Sequence, residues 1–532
     1  MRTNLVCLAA VAALLAAPLS AQTTARRAAL PQTRPERTNY AETSRYDDVM
    51  AFLRALPRSP RMHLTTMGYT GEGRDIPLVV VGNVSSGAPD AVRRSGKLRI
   101  YIQANIHAGE VEGKEAAQVL LRDLAAGQHA RWLDSVVLLV APIYNADGNE
   151  RVSLTNRPLQ LGPIGGEGQR PNAAGLDLNR DHMKLESPEA RSQVMMLRAY
   201  DPQVMMDLHT TDGSVHGYYL TYAEPLHPNT DAAIIQLLRG ELLPAVTQRI
   251  KQTDDMDMYY YGNFPGREGE QPGAERGWYT FEHRPRFSNN YWGMRNRVGI
   301  LSEAYSYATF QDRIKATLRF VEETVTYVAA HASQVRGITE AADAHRIIGE
   351  SLAVRARMHH GADAPILRGE TTDSINPYTG QRMLRRLDVR RPEMMPDYTT
   401  FEGSEYERVP RAYYVPASLA AVIERLNLHG VTTSRLAQAE VVAGQRFRID
   451  STWTAAREFQ GHRERQVRGA WEVGQDTMPA GTVVVPMDQP LARLVFLLLE
   501  PRSDDGVLDW NLVERDIENA RYYPIRRVLA GN

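Results

Sequence analysis

Residues 98–121 read LRIYIQANIHAGEVEGKEAAQVLL. The first five, rich in β-branched and aromatic side chains, have the pattern of a buried strand, and from residue 113 to 125 apolar residues recur at helical spacing. Between the two lies His107-Ala108-Gly109-Glu110. A strand that hands over to a helix through a short turn sets polar side chains at the rim of a sheet, where open α/β folds keep their sites. An imidazole and a carboxylate three apart on such a turn can face one ion at roughly 2.0–2.2 Å. In a chain with 14 histidines, one such pair alone reads first as a solvated turn. Its weight comes from what accompanies it.

Working outward, residues 39–56 predict a helix and residues 62–84 predict strands around the turn Gly71-Glu72-Gly73. Residues 135–143, SVVLLVAPI, form a continuous apolar run of the kind a buried parallel strand needs, and it ends in a loop at 144–148. A Gly/Pro-rich excursion over 158–174 leads to Gly175-Leu176-Asp177-Leu178-Asn179-Arg180. Ser187 and Pro188 have the residue types that cap and open a helix, which runs to about residue 200. Residues 203–208 predict a strand ending at His209, with Asp207 read as a plain buried acid; a long amphipathic helix follows over 230–252. Residues 259–297 are too long and too rich in Gly, Pro, Arg and aromatics for a simple connection, which predicts a lid or pocket wall. A strand at 298–302 carries Glu303 at its end, and a helix follows from about 311 to 330.

The polar residues at these strand ends form a set. His107, Glu110 and His209 are three protein ligands of the catalytic type, which leave zinc a position for a water whose pKa can fall to about 7. Glu303 can serve as the carboxylate that takes the water's proton, and the Arg180 guanidinium can clamp a carboxylate with two hydrogen bonds.

Composition limits the alternatives. The 532 residues carry 62 basic and 63 acidic side chains, a net charge of −1, so no global field points to nucleic acid or a membrane surface as partner. Residues 1–21 have a basic start, an apolar run too short to span a bilayer and a small-residue end, the pattern of a signal peptide. The single cysteine, Cys7, lies inside that segment, so an exported chain would hold any metal with His and carboxylate alone. Residues 22–40 predict a flexible tether. The expected fold is α/β, a mixed and mostly parallel twisted sheet flanked by helices over 41–335, with a second, smaller β-rich domain over 340–532. The expected location is the periplasm or the outside of the cell.

The ordered pieces HAGE at 107–110, NADG at 145–148, GLDLNR at 175–180, DLH at 207–209 and LSEAY at 301–305 resemble the zinc carboxypeptidase family, the carboxypeptidase A-like metallopeptidases, over residues 41–335. The resemblance implies one zinc per chain held by His107, Glu110 and His209, with Asp177 orienting the first histidine. It implies Asn179 and Arg180 on the terminal carboxylate of a peptide substrate, and Glu303 as general base. Arg157 matches an arginine bordering the substrate groove. The family's carbonyl-polarising arginine falls on Gln160, so Arg157 or Arg151 is expected to substitute. Its mobile tyrosine corresponds to Tyr279 or Tyr291. Two other readings compete. One is a zinc N-acyl-amino-acid amidohydrolase of the aspartoacylase and succinylglutamate desuccinylase type, disfavoured by Asp181-His182-Met183 where those relatives have Phe-Pro-Gly. The other is a non-catalytic peptide-binding protein.

Overall fold

The computed structural model describes residues 30–211, 213–265 and 275–531. The signal-like segment 1–21 with Cys7, and the first part of the expected tether, lie outside the described residues. Among the described residues no helix is long and apolar enough to cross a membrane.

The N-terminal part contributes strands β1 (Met62–Tyr69), β2 (Asp75–Val81), β3 (Leu98–Ala104), β4 (Val136–Ala141), β5 (Val204–Thr210), β6 (Leu220–Ala223), β7 (Met258–Tyr260), β8 (Trp278–Tyr279) and β9 (Val298–Ala304). All but β8 form one sheet in the order β1-β2-β4-β3-β5-β9-β6-β7. Its centre, β4-β3-β5-β9, is parallel, while β2 joins β4 and β6 joins β9 antiparallel. This is the mixed, mostly parallel α/β sheet that the sequence predicts.

The central strands are apolar on both faces because both faces are covered. On one side Leu98, Ile100 and Ile102 of β3 pack with Leu120 and Leu121 of helix Glu112–Ala125 and with Phe320 and Val325 of helix Phe310–Ala330. On the other side Tyr101 packs with Val194 and Leu197 of helix Pro188–Tyr200 and Trp292 of helix Ser288–Met294. The same core runs on into Tyr413, Phe496 and Trp510 of the C-terminal region.

Helix Ala332–Ala344 leads into that region. There β10 (Ser351–His359) pairs with β14 (Thr400–Arg408), β11 (Ala364–Ile375) pairs with β12 (Arg382–Met395), and β13 (Asp397–Tyr398) runs parallel to β8 of the N-terminal part. Strands β15 (Ala412–Val415), β16 (Ser434–Arg435), β17 (Glu440–Thr454), β18 (Arg465–Met478), β19 (Val483–Pro486) and β20 (Tyr522–Val528) make a six-stranded sheet. Helix Ala420–His429 ends at Gly430, which adopts the left-handed conformation (φ 84°).

Three local readings differ from the structure. Part of the expected loop at 144–148 winds into a short helix, Ala146–Glu150, because the Asn145 side chain accepts from the Gly148 N–H at 2.9 Å. The helix expected over 230–252 contains a wider turn at Leu237–Leu242. Within the tether segment, Arg34–Arg37 forms a capped helical turn whose Glu36 pairs with Arg122 at 2.6 Å.

Candidate metal centre and active site

The site is built at the C-terminal ends of β3, β5 and β9. Strand β3 stops because Asn105 adopts a left-handed backbone (φ 67°), which turns the chain toward His107 and Glu110 before helix Glu112–Ala125 begins. Gly113 lets that helix lie against β5, since a Cβ there would sit 2.6 Å from the Leu208 Cβ. In the β5 and β9 register His209 is the direct partner of Glu303.

The structure brings His107, Glu110 and His209 together, all buried. Glu110 Oε1 lies 3.0 Å from His107 Nδ1, Glu110 Oε2 lies 2.9 Å from His209 Nδ1, and the two Nδ1 atoms are 3.2 Å apart. Each imidazole has a carboxylate at its far nitrogen: Asp177 Oδ1 at 3.0 Å from His107 Nε2, and Asp207 Oδ2 at 2.9 Å from His209 Nε2. An imidazole whose Nε2–H is directed at a carboxylate presents a bare lone pair at Nδ1. Two such nitrogens and a carboxylate converging on one point form a site that a cation can fill. The donor set fits a divalent metal.

The electrostatics agree. Burial lowers the pKa of His209, but Asp207 and Glu110 outweigh it and raise the group well above its ordinary value. Burial likewise opposes ionisation of Glu110, and His107 and His209 more than offset it, holding that carboxyl well below the usual range. The pocket favours positive charge at its centre.

Around it, Asp177 caps the turn Leu178–Arg180 and also accepts from Arg170 Nε at 2.9 Å. The Asn179 Oδ1 atom accepts from the Ser288 N–H at 2.8 Å, and the Arg180 guanidinium lies 3.8 Å from the centre of the Phe287 ring. A cavity of about 180 Å³ is lined by His107, Glu110, Arg170, Asn179, Arg180 and Glu303 together. Glu303 thus lines the same space as His107 and Glu110 of the cluster and the two candidate substrate-holding residues.

Arg157 lies beside the cluster rather than in this cavity. Its Nη1 is 3.3 Å from Glu110 Oε1, its Nη2 donates to the carbonyls of Thr210 and Thr211 at 3.0 and 2.9 Å, and its Nε donates to Gln160 at 2.8 Å. It lines an adjoining cavity of about 300 Å³. Arg151 is more than half exposed and pairs with Glu72 instead. Tyr291 is walled in, its hydroxyl 2.8 Å from His429 Nδ1, and Tyr279 stacks on Tyr398 with centroids 4.4 Å apart. The tyrosine on the cavity wall is Tyr261. His182 and His216 are buried away from the cluster, the latter against Tyr305.

Two residues at the site were absent from the candidate set. Asp207 shares a face of β5 with His209 because side chains alternate along a strand, so its spacing of two was the available signal. Arg170 borders both cavities and has its Nη1 3.5 Å from Glu110 Oε1. Its signal is position, ten residues ahead of Arg180 in the Gly/Pro-rich run.

The sequence pattern of the zinc carboxypeptidase family matches residues 49–204, which contain His107, Glu110, Asp177, Asn179 and Arg180. The chain carries a zinc carboxypeptidase domain. As an enzyme it falls among the metallocarboxypeptidases. The chain is 24% identical over 502 residues to carboxypeptidase 2 of Trichophyton rubrum, covering 91% of this chain and 86% of that one. It is 28% identical over 131 residues to human carboxypeptidase D, covering 23% of this chain and 10% of that protein. Among solved structures, a metallo-carboxypeptidase from Burkholderia cenocepacia is 20% identical, with 55% of this chain and 71% of that chain covered at a TM-score of 0.41.

Proposed function

We propose that the chain is an exported zinc carboxypeptidase that removes the terminal residue from peptides with a free carboxylate. The observation that carries this reading is the shared cavity: Glu303 and Arg180 open on the same space as His107 and Glu110, which cluster with His209 behind them. Zinc held by those three would supply Lewis acidity and a water with a pKa near 7.

The chain's own groups then have distinct tasks. Glu303 takes the proton from the attacking water and returns it to the leaving amine nitrogen, a role that contributes about 10²–10⁴-fold. Arg180, with the amide N–H groups of Asn179, holds the terminal carboxylate so that only the last peptide bond reaches Glu303. Arg170 takes the carbonyl-polarising role, since its guanidinium is on the cavity wall, whereas the donors of Arg157 are directed at Glu110, Gln160 and two backbone carbonyls. Arg157 braces the end of β5, and so fixes His209. Asp177 and Asp207 hold the two imidazoles in the tautomer that presents Nδ1. Export rests on the signal-like residues 1–21 and on the confinement of the only cysteine to that segment.

Matched peptides with free and amidated C-termini, assayed alongside metal content, test the reading. The free peptide is cut, the amidated one is not, and chelation abolishes activity that zinc restores. Equal cleavage of both peptides removes the carboxylate clamp, and preferential hydrolysis of N-acyl amino acids favours the amidohydrolase.

A further inference from the structure

The C-terminal region reaches the turn that carries Asp177, Asn179 and Arg180 through the loop 455–464 between β17 and β18. That loop closes on itself between Phe459 and His462, whose backbones exchange hydrogen bonds of 2.7 and 3.0 Å around Gln460 and Gly461. Both central residues are left-handed, at φ 51° and 80°. A two-residue hairpin turn of this form favours Asn-Gly or Gly-Gly. Glutamine is strained there, and strain of that kind persists where the surrounding structure holds it for a function.

The length of Gln460 has a use. Its Oε1 accepts from the Asp177 N–H at 2.8 Å, across 283 positions of sequence. Asp177 in turn holds Oδ1 3.0 Å from His107 Nε2 and accepts the Asn179 N–H on the same oxygen at 2.9 Å. On the other side of the turn, His462 Nε2 lies 2.8 Å from Glu186, whose own N–H donates to Asp181 at 3.0 Å. The hairpin tip therefore grips the segment 177–186 at both ends, and Asn179 and Arg180 lie between the two grips. The tip is itself pinned. Phe459 stacks on Trp510 with centroids 6.4 Å apart, and the buried Arg286 guanidinium, paired with Asp505 at 2.9 Å, lies 5.3 Å from the centre of the Phe459 ring.

Resting on the carboxypeptidase reading above, we propose that Gln460 is a positioning residue of the active site: it fixes the main chain at Asp177 and, through the Asp177 carboxylate, the direction in which His107 faces the metal. The position needs an acceptor at the end of a long side chain, which is why a glutamine stands where the turn alone favours asparagine or glycine. The C-terminal region is then part of the support of the metal centre.

The test compares the whole chain with Gln460→Gly and Gln460→Asn. Both replacements enter the left-handed region readily, so the turn is kept, and neither brings an acceptor as far as the Asp177 N–H. Zinc affinity is read by competition with a chromophoric chelator, and the wild type is assayed on a free-carboxylate peptide in the same preparation. Each variant binds zinc at least about fivefold more weakly, approaching the ~10–100-fold that follows loss of a direct partner of a ligand. In an Asp177→Asn background, Gln460→Gly weakens zinc binding by less than about twofold, because the group it acts through is already lost. Wild-type affinity in either folded variant, or an equal loss with and without the Asp177 carboxylate, overturns this proposal alone. A wild type that binds no zinc and leaves the peptide uncut overturns the carboxypeptidase reading and this one with it.

Discussion

Replacing Asp207 with Asn separates an orienting carboxylate from a merely buried one. Asp207 is fully buried, its Oδ1 accepts from Gln103 Nε2 at 3.1 Å, its Oδ2 accepts from the Ser288 hydroxyl, and Oδ2 also lies 2.9 Å from His209 Nε2. Asn has the same size, so the core stays filled. It has one acceptor atom where three donors converge. Either its amide N–H faces the N–H of His209, or the imidazole changes tautomer and places a proton on Nδ1, the atom aimed at the metal. Loss of such a partner typically weakens metal affinity about 10–100-fold, which is about 1.4–2.7 kcal/mol. The assay is zinc competition against a chromophoric chelator, with thermal unfolding in the presence and absence of zinc. Chelator competition reads a 10–100-fold weaker affinity, and zinc stabilises the variant by that much less free energy than it does the wild type. A folded Asp207→Asn protein with wild-type zinc affinity refutes the reasoning.

Three further outcomes are expected. Glu303→Gln keeps its zinc and loses about 10²–10⁴-fold in turnover; zinc analysis with steady-state kinetics checks this, and normal turnover removes Glu303 from the chemistry. Arg170→Ala lowers kcat by about 10²–10³-fold, as loss of an oxyanion donor does, whereas Arg180→Ala chiefly raises KM for free-carboxylate peptides. Identical kinetic signatures for the two would contradict the division of roles. Glu186 joins His462 of the C-terminal region at 2.8 Å; burial opposes its charge, but His462 and Lys184 bring its pKa down to about 2. A depressed carboxyl stabilises the fold above its unfolded value of about 4.5 and loses that contribution as pH falls toward 2, at most about 3 kcal/mol, and less after screening of a partly exposed side chain. The stability gap between wild type and Glu186→Gln, measured by denaturant unfolding, therefore narrows between pH 5 and pH 3; a gap independent of pH contradicts it.

The clustering of the candidate ligands was legible because a strand end fixes where a side chain goes. His107, His209 and Glu303 follow runs whose apolar pattern marks them as central strands, and adjacent parallel strands bring such ends into one rim. Arg170 and Tyr261 were not legible because they sit in irregular segments, where no periodicity predicts direction and long-range contacts decide. Arg170 reaches the site through Asp177. The reach of the loop between β17 and β18 was hidden for a similar reason: nothing local to Gln460 records that its side chain meets the Asp177 N–H. Asp207 was readable in place but not in role, since a buried acid two residues before a histidine acquires meaning only once that histidine's other nitrogen is placed against Glu110 and His107.

The proposed activity requires His107, Glu110 and His209 to hold one cation. Crystallography of the zinc-loaded enzyme at the zinc absorption edge tests this most directly. One anomalous peak per chain is expected, with the Nδ1 atoms of His107 and His209 at ~2.0–2.1 Å and a Glu110 oxygen at ~2.0–2.2 Å. An active, zinc-containing enzyme whose anomalous peak lies away from these three side chains would contradict it.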